Sequence, residues 1–292
     1  MGEKDMSEKI LEDYNDVFSD IVNVLLFHGQ ELIEPSALES ISVHSQYKGE
    51  DAKLHEQERD VAKKWKRYNV QLAIIGIENQ TAVEKKMPFR LIGYEGASYK
   101  SQLQANAASI APVVTIVLYF GEKHWCKERN IKSLMNIPKE LDPYVNDYKM
   151  EVFEIAWLTD EQINMFQSDF RVVARYFSEK RKNKNYVPHD KTILRHIDAV
   201  LKLLAVMSGD HRYETILADP EQKGKVKTMD EALTKVINEG HARGLAEGQI
   251  KILVSLCRSG NISVEIAADQ LKISTDEFRK YLDNDTADSQ KA

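Results

Sequence analysis

The chain has 292 residues, long enough for a large hydrophobic core and more than one region. Its formal net charge of −6 excludes a general attraction to polyanions, so any contact with nucleic acid needs a local basic patch or a bound cation. Its two cysteines, Cys126 and Cys257, exclude a disulfide framework and a zinc ribbon.

The first half of the chain predicts an α/β unit. Residues 6–27 place apolar side chains at helical spacing, and Gly29 follows as a stop signal. Residues 40–47 alternate in polarity and predict an outer strand. Two further strands are predicted at about 57–65 and 70–78, and the second is nearly continuous apolar sequence, typical of a buried central strand.

The next segments complete the predicted sheet. Residues 79–97 contain Pro88 and two glycines, and we predict mostly irregular chain there. Residues 98–108 are rich in Ala and Gln and predict a helix. Residues 113–120 predict another buried strand. The pattern alone therefore indicates an α/β fold with a mixed sheet.

The second half is predicted to be helical after one more strand within 148–158. A basic linker is expected at 180–191, and helices are expected at 193–207 and 229–258. Capping-box patterns mark three helix starts, at Thr159, Thr228 and Ser274.

The last 60 residues predict an interaction module. Glycines recur every four residues at Gly240, Gly244 and Gly248 and would let another helix approach closely. Residues 260–282 resemble a helix-turn-helix. The second helix of that motif starts with acidic residues, where a DNA-reading helix would present basic or amide side chains. We therefore expect packing or homo-oligomer formation through these helices and no sequence-specific DNA reading, while DNA engagement of another kind by this region stays open.

Two carboxylates lie on neighbouring predicted strands. Asp60 is on the first, Glu78 ends the second, and Gln80 shares the side-chain parity of Glu78. If residues 63–67 form the connecting hairpin, Asp60 approaches Glu78. Two converging carboxylates suit Mg²⁺, which prefers a few hard oxygen ligands and keeps several waters. Spacing alone leaves open that both acids are ion-pair partners of neighbouring basic residues.

The pattern Asp60, then Glu78-x-Gln80, resembles the PD-(D/E)XK nuclease active site, where an Asp and a Glu-x-Lys hold the metal and the attacking water. Gln80 stands where that site has Lys. The similarity covers roughly the first 180 residues, over which the chain resembles the Rpn family of recombination-promoting nucleases, also known as putative transposases. The motifs that carry it are, in order, Glu78-Asn79-Gln80-Thr81, Met87-Pro88-Phe89-Arg90, Tyr94, Tyr99-Lys100-Ser101-Gln102-Leu103, Pro112-Val113-Val114 and Val117-Leu118-Tyr119-Phe120-Gly121 with Trp125.

The resemblance implies a fold and a division into domains. The expected core is PD-(D/E)XK restriction-endonuclease-like, with the order α-β-β-β-α-β and a mixed sheet, followed by an all-helical C-terminal region. Residues 1–158 would form the nuclease-like domain and 159–225 a helical extension packed on it. Residues 226–292 would form the C-terminal helical region with the helix-turn-helix-like segment.

The resemblance also implies a metal-dependent DNA endonuclease that promotes recombination. Asp60 and Glu78 would hold Mg²⁺ or Mn²⁺, Gln80 would position the water, and Asp16 on the first helix would add a third metal ligand. The alternative is a catalytically inactive DNA-binding or interaction protein that kept the fold. A transposase is a third option, but the chain shows no second catalytic domain for strand transfer.

Six side chains are candidates for contacts with DNA: Lys63, Lys64, Lys66, Arg67, Arg90 and Gln102. The basic residues among 63–67 could instead form a solvated hairpin tip. Arg90 and Gln102 match the family pattern, yet each could equally bond a loop carbonyl. Asp16 could likewise be an ordinary carboxylate on a helix surface.

A reducing cytoplasm is the compartment that the sequence favours. The N-terminal residues 1–5 are charged and lack the apolar core of a signal peptide. The longest apolar run, at 111–120, is too short to span a bilayer, so no membrane partner is expected.

Overall fold

The computed structural model describes residues 11–41, 44–48, 54–58, 60–68, 70–105, 107, 109–209, 212–218 and 226–288. The chain divides into two compact units, Met1–Ala232 and Leu233–Ala292. The sheet and most of the core belong to the first unit. The finer three-part division expected from the sequence stays a prediction.

The first unit is built on a five-stranded mixed sheet with the order β1-β4-β5-β6-β7. Strands β1, β4 and β5 are antiparallel neighbours, whereas β5, β6 and β7 run parallel. A separate hairpin pairs β2 with β3. The strands of the described chain are β1 Leu38–Ser40, β2 His44–Lys48, β3 Leu54–Glu58, β4 Val61–Arg67, β5 Val70–Gln80, β6 Val113–Tyr119 and β7 Glu151–Glu154.

Helices occur in both halves of the described chain. They are α1 Asn15–Leu25, α2 Met87–Gln104, α3 Asp160–Met165, α4 Phe170–Lys182, α5 Ile197–Ser208, α6 Arg212–Ala218, α7 Met229–Arg258, α8 Val264–Leu271 and α9 Thr275–Asp288. Among the described residues, no helix combines the length and the hydropathy needed to cross a membrane.

The predicted α/β class with a mixed sheet is confirmed. The five-stranded sheet and its helices follow the chain order α1, β1, β4, β5, α2, β6 and β7, with the β2–β3 hairpin inserted after β1. β5 is the central strand, with β4 on one edge and β6 on the other, and residues 73–79 are all buried. The strand predicted at 70–78 from its apolar run is therefore confirmed.

Two predicted strands are divided in the structure. The outer strand expected at 40–47 is split, because β1 ends at Ser40 and β2 begins at His44. The strand expected at 57–65 is shared between β3 and β4. The two pieces of each belong to different sheets, and an alternating pattern does not show where one hydrogen-bonded ladder ends and another begins.

The basic stretch 63–67 does not form the connecting hairpin, which corrects that prediction. These residues are the body of β4, and the turn to β5 lies at Tyr68, whose φ is 49°. Because the stretch is a strand, its side chains alternate between the two faces of the sheet, and the side chain of Lys63 points into the protein. The run was predicted either to contact DNA or to form a solvated hairpin tip, and Lys63 within it is buried.

The largest error of the sequence-based prediction concerns residues 79–97. Helix α2 begins at Met87, and Pro88 occupies its first turn, where the missing N–H has no helical acceptor to lose. Leu91 and Tyr94 are buried from this helix against the sheet, in one cluster with Val117. Packing thus outweighs the low helix propensity of the two glycines.

The later predictions are mostly confirmed. Residues 229–258 form α7, and 113–119 form β6. Thr159 makes both bonds of a capping box with Gln162. The hydroxyls of Thr228 and Ser274 each accept the backbone N–H three residues later, at 3.1 and 3.2 Å. The basic linker is shorter than predicted, because α4 continues to Lys182.

The second unit, taken by itself, is a small helical cluster. The C-terminal part of α7 packs with α8 and α9 around Phe278, which is completely buried with Ala267 and Ala268. The turn between α8 and α9 uses Lys272 in the left-handed conformation, with φ 55°. The predicted pair of short helices is therefore present.

Candidate functional site

Asp60, directly before β4, and Glu78, near the end of β5, lie at one end of the sheet. Val61 pairs with Ile77 across β4 and β5, so the next cross-strand position sets Asp60 opposite Glu78. Side chains opposed in this way have Cβ atoms about 4.5–5.5 Å apart. The backbone N–H of Asn79 donates to Asp60 Oδ2 at 2.6 Å and fixes that carboxylate beside the strand. The register therefore sets the two acids at adjacent positions at this end of the sheet.

Glu78 is buried and is bonded to a cation from α2. Its Oε1 accepts a hydrogen bond from Arg90 Nη2 at 2.6 Å. Gln80 Nε2 lies 3.4 Å from the same oxygen, at the weak end of the hydrogen-bond range. Only 2% of the Glu78 side chain is exposed, compared with 39% of Arg90. A buried carboxylate needs such a partner because removing its charge from water is costly.

Arg90 links Glu78 to a buried phenol. Its Nη2 also donates to the Tyr94 hydroxyl at 3.0 Å, one helical turn along α2. Burial opposes the charge of Arg90, but the Glu78 carboxylate, with smaller effects of Tyr94 and Asp60, raises the pKa of the guanidinium. Burial raises the pKa of Tyr94, and the negative charges of Glu78 and Asp60 raise it further. Both carboxylates therefore act electrostatically on this Arg–Tyr pair.

Asp60 and Glu78 match in number the carboxylates that a magnesium site for phosphate chemistry commonly uses. Among the described residues, no group of three or more His, Cys, Asp or Glu side chains could hold a metal. Mg²⁺ bound for phosphate chemistry commonly takes only one or two carboxylates and completes its shell with water and phosphate oxygens. Asp60 and Glu78 supply two carboxylates, and a metal there would share Glu78 with Arg90.

Asp16 lies with the helical extension, not with the carboxylate pair. Its two oxygens are 3.1 and 3.2 Å from His196 Nε2, and Arg195 is 3.6 Å away. Asp20, one turn later on α1, accepts the backbone N–H of Ser168 at 2.7 Å. Burial raises the pKa of Asp20. Both acids bind the segments before α4 and α5 and so connect these segments to α1. This arrangement corrects the prediction that Asp16 is a metal ligand.

A buried acid that was not predicted from the sequence, Glu12, lies in the same region. Glu12, in the helical turn before α1, is 0% exposed, whereas Asp16 is partly exposed. Charged side chains are almost never fully buried unless they are paired. Nothing in the local pattern separates Glu12 from the other acids at 12–20, because burial of a helix face depends on packing with distant elements.

Lys63 is a structural residue in this fold. Its side chain is fully buried, and Nζ donates to the Asp13 carbonyl at 2.7 Å and to Ser40 Oγ at 2.8 Å. It also pairs with Asp13 Oδ1 at 3.1 Å. Lys63 is opposite Ile75, so it occupies the face of the sheet away from Glu78. A buried, bonded ammonium cannot reach a phosphate, which corrects the prediction that Lys63 contacts DNA.

The other basic residues of β4 lie nearer the surface. Lys64 is half-buried, and Arg67 is exposed and stands over the Tyr68 ring at 5.7 Å. Lys66 forms an ion pair with Glu39, and this pair lowers the pKa of the Glu39 carboxyl. These three remain candidates for contacts with phosphate.

Gln102 and Arg90 were each predicted either to contact DNA or to bond a loop carbonyl, and the two residues differ in the structure. Gln102 is buried and holds the Ala111 backbone at both ends, accepting its N–H at 2.8 Å and donating to its carbonyl at 3.1 Å. It therefore joins the end of α2 to the segment before β6 and is not available to DNA. Arg90 bonds Glu78 instead of a loop carbonyl. The i, i+4 spacing of Arg90 and Tyr94 would have revealed their contact if α2 had been predicted.

Comparison with known proteins gives one match. The family model described as "Putative transposase, YhgA-like" matches residues 51–201, a span that contains Asp60, Glu78, Gln80 and Arg90. No curated protein and no solved structure matches the chain. The matched span covers more than half of the 292 residues and agrees with the resemblance to Rpn-type putative transposases. The chain belongs to the YhgA-like family of putative transposases.

Proposed function

We propose that the protein is a metal-dependent DNA endonuclease with a PD-(D/E)XK-type core. The observation that carries this proposal is the pair of carboxylates, Asp60 and Glu78, opposed at the ends of β4 and β5. The element order α1, β1, β4, β5, α2, β6 is compatible with that core. Membership of a transposase-type family supports DNA as the substrate and recombination as the setting.

Each residue of the site has a distinct proposed role. Asp60 and Glu78 would hold Mg²⁺ or Mn²⁺. Such a metal, when bound, polarises a phosphoryl oxygen and lowers the pKa of a coordinated water. Gln80 would orient the attacking water through its amide, which can both donate and accept hydrogen bonds. The Asn79 N–H holds Asp60 in position.

Arg90 would supply positive charge that Gln80 lacks. A neutral amide cannot offset the charge of a phosphate, whereas the Arg90 guanidinium lies 2.6 Å from Glu78 and is partly exposed. Positive groups fixed near developing negative charge are a common source of rate enhancement. The site would thus obtain its cation from α2 and not from β5.

A catalytically inactive DNA-binding protein is the competing function, and one observation favours it. Arg90 already neutralises Glu78, so the ion pair could replace the metal altogether. The two functions differ in one assay: pure protein is incubated with supercoiled plasmid and Mg²⁺, Mn²⁺ or a chelator. We expect nicked plasmid with either metal and none with the chelator. DNA binding without nicking under all three conditions would establish the inactive alternative.

A first expected result concerns Gln80. Because its proposed role is to orient water without adding charge, Gln80→Lys should retain or raise the nicking rate. Gln80→Leu should lose about 10²-fold, the scale of a lost catalytic hydrogen bond. Rates are compared on supercoiled plasmid at saturating Mg²⁺. If Gln80→Leu cuts as fast as the wild type, Gln80 has no part in the mechanism.

A second expected result concerns the second unit, for which we propose self-association. Among the described residues, and apart from the helix's own backbone, a methyl group added to Gly240, Gly244 or Gly248 would meet no atom within 4 Å. Leu245 and Ile252 on α7 are 68% and 62% exposed. A partner helix from a second copy could cover this surface.

Truncation after residue 238 tests that proposal. This cut keeps the start of α7, where Met229 and Ala232 are buried and Asp230 N–H donates to the Asp190 carbonyl at 3.1 Å. The truncated protein should keep metal-dependent nicking and have a smaller oligomer mass by light scattering. An unchanged oligomer size would exclude the second unit as the interface, and lost nicking would show that it completes the active site.

A further inference from the structure

A stack of three side chains lies near the end of β7, outside the carboxylate pair. The imidazole of His124 lies on the indole of Trp157, with ring centroids 3.5 Å apart and planes inclined by 25°. The guanidinium carbon of Arg181 lies 3.9 Å from the centre of the same indole. Atoms in contact are about 3.5–4.0 Å apart, so His124 and Arg181 would overlap on one face of Trp157 and therefore cover opposite faces. We call these layers, in the order His124, Trp157 and Arg181, the three-layer stack.

Hydrogen bonds fix the outer layers of the three-layer stack. His124 Nδ1 lies 2.7 Å from Glu154 Oε2, and the other Glu154 oxygen accepts a hydrogen bond from Arg129 Nη2 at 2.8 Å. On the far side of the stack, Arg181 Nε donates to the Ala156 carbonyl at 2.8 Å. Because a carboxylate only accepts, Nδ1 is a ring nitrogen that carries hydrogen. A side chain that is fixed before binding loses little conformational freedom when a ligand arrives.

The outer face of His124 is open to solvent. Its inner face is covered by Trp157 and its Nδ1 is bonded to Glu154, yet 61% of the side chain is exposed. The exposed area therefore belongs to the outer face and to the ring edge that carries Nε2. Among the described residues, none forms a hydrogen bond with Nε2. The three-layer stack thus ends in a flat, fixed aromatic surface.

A flat aromatic surface in a fixed position suits a planar ring. Unpaired nucleobases stack on His, Phe, Tyr and Trp side chains of proteins that bind nucleic acid. Such a contact raises affinity by about 5- to 150-fold per base, the equivalent of about 1–3 kcal/mol. Bases within a closed duplex are stacked on one another and expose only their edges in the grooves. The surface therefore requires a base that lies outside a duplex.

The three-layer stack lies at the same end of the sheet as the carboxylate pair. Gln80, Tyr119 and Glu154 are in register across β5, β6 and β7, two residues beyond Glu78 on β5. Tyr119 lies in one apolar cluster with Leu91 of α2, so this row and Glu78 project from the face of the sheet that carries α2. Neighbouring strands are about 4.8 Å apart, which places Glu154 about 10 Å from Gln80. That distance is about three nucleotide steps of 3.4 Å along one strand of duplex DNA.

We propose that the outer face of His124 binds an unpaired DNA base by stacking, a few nucleotides from the phosphate at the Asp60–Glu78 pair. The choice of DNA as the source of the base rests on the proposed function, whereas the preference for a planar ring rests on the three-layer stack alone. The protein then favours DNA that is single-stranded, bulged or frayed beside the site over a closed duplex.

The test measures DNA binding without cleavage. Full-length protein in chelator is titrated into a fluorescent thymidine strand of about 20 bases and into a closed duplex of about 30 base pairs. We expect His124→Ala to bind the single strand at least about fivefold more weakly, the lower limit for one stacked base. His124→Phe keeps a flat ring and should bind the strand within about twofold of the wild type. Neither change should alter duplex affinity, because a closed duplex presents no free base.

His189 supplies a matched control. It is also exposed, at 68%, and bonds the carboxylate of Asp230 at 3.0 Å, but it belongs to no ring stack among the described residues. His189→Ala should therefore bind both DNAs like the wild type. The proposal is overturned if His124→Ala binds the single strand like the wild type, if folded His124→Phe is as weak as His124→Ala, or if His189→Ala is weakened equally.

A mononucleotide identifies the source of the base. Thymidine monophosphate that binds through His124, while strand affinity does not depend on His124, would overturn the assignment to DNA. The chelator keeps the binding result independent of metal-dependent cutting. Single-strand binding that depends on His124, by a protein that never nicks plasmid, would refute the proposed nuclease function alone. Metal-dependent nicking with binding that is independent of His124 would refute this inference alone.

Discussion

Asp60→Asn and Glu78→Gln should each lower the rate of Mg²⁺-dependent plasmid nicking by about 10²–10³-fold, the usual loss when a central electrostatic group is removed. Both substitutions keep the size of the side chain and remove its negative charge. Asn at position 60 still offers an oxygen to the Asn79 N–H, so the local backbone should be retained. Rates are measured as initial nicking at saturating Mg²⁺.

A matched control uses a carboxylate on the same sheet. Glu151 at the start of β7 is exposed and pairs with Lys149, so Glu151→Gln should cut at the wild-type rate. Circular dichroism and a melting curve confirm that each variant is folded. A folded Asp60→Asn or Glu78→Gln protein that nicks at the wild-type rate would remove the metal site from this pair.

The parts of the fold that the sequence predicted correctly share one property, a local signal. β5 and β6 are marked by nearly continuous apolar runs of seven or more residues and α7 by the capping-box pattern at Thr228, and each has the predicted type. The opposition of Asp60 and Glu78 was predicted from a connecting turn at 63–67, whereas the turn lies at Tyr68 and its position sets the register that opposes the two residues.

The errors arose where distant contacts decide the outcome. Helix α2 contains Pro88 and two glycines, and its stability comes from Leu91 and Tyr94 packing on the sheet. Lys63 carries a charge that favours water, yet it is buried because Asp13 and Ser40 supply acceptors from elsewhere in the chain. Partners separated by 23 and 50 residues leave no signal in a local pattern.

The acidic residues of α1 illustrate the same limit. Asp16 and Asp20 share a helix face, and that face turns towards the helical extension, where they bond His196 and Ser168. An acid chosen by its position in a motif was therefore assigned to a metal, when its partners lie about 150 to 180 residues later in the chain. These bonds join α1 to the extension in one unit.

Arg90→Met should destabilise the fold by about 1–3 kcal/mol, because it leaves the buried Glu78 carboxylate without its guanidinium and removes a donor from the Tyr94 hydroxyl. Removing one partner of a fully buried pair costs about 3–5 kcal/mol, and the lower figure reflects the 39% exposure of Arg90. The free energy of unfolding is measured by urea denaturation at pH 7. Lys149→Met, which breaks the exposed pair with Glu151, should change it by less than about 0.5 kcal/mol.

A double-mutant cycle shows whether the loss comes from the ion pair. In Glu78→Gln/Arg90→Met the buried charge and its partner are both absent, so the double variant should be more stable than the sum of the two single changes predicts. Additive changes would show that Arg90 and Glu78 act independently, and would also remove the support for Arg90 as the cation of the active site. A positive coupling, together with slower nicking by folded Arg90→Met, would show that one contact both holds Glu78 in the core and supplies the charge that Gln80 lacks.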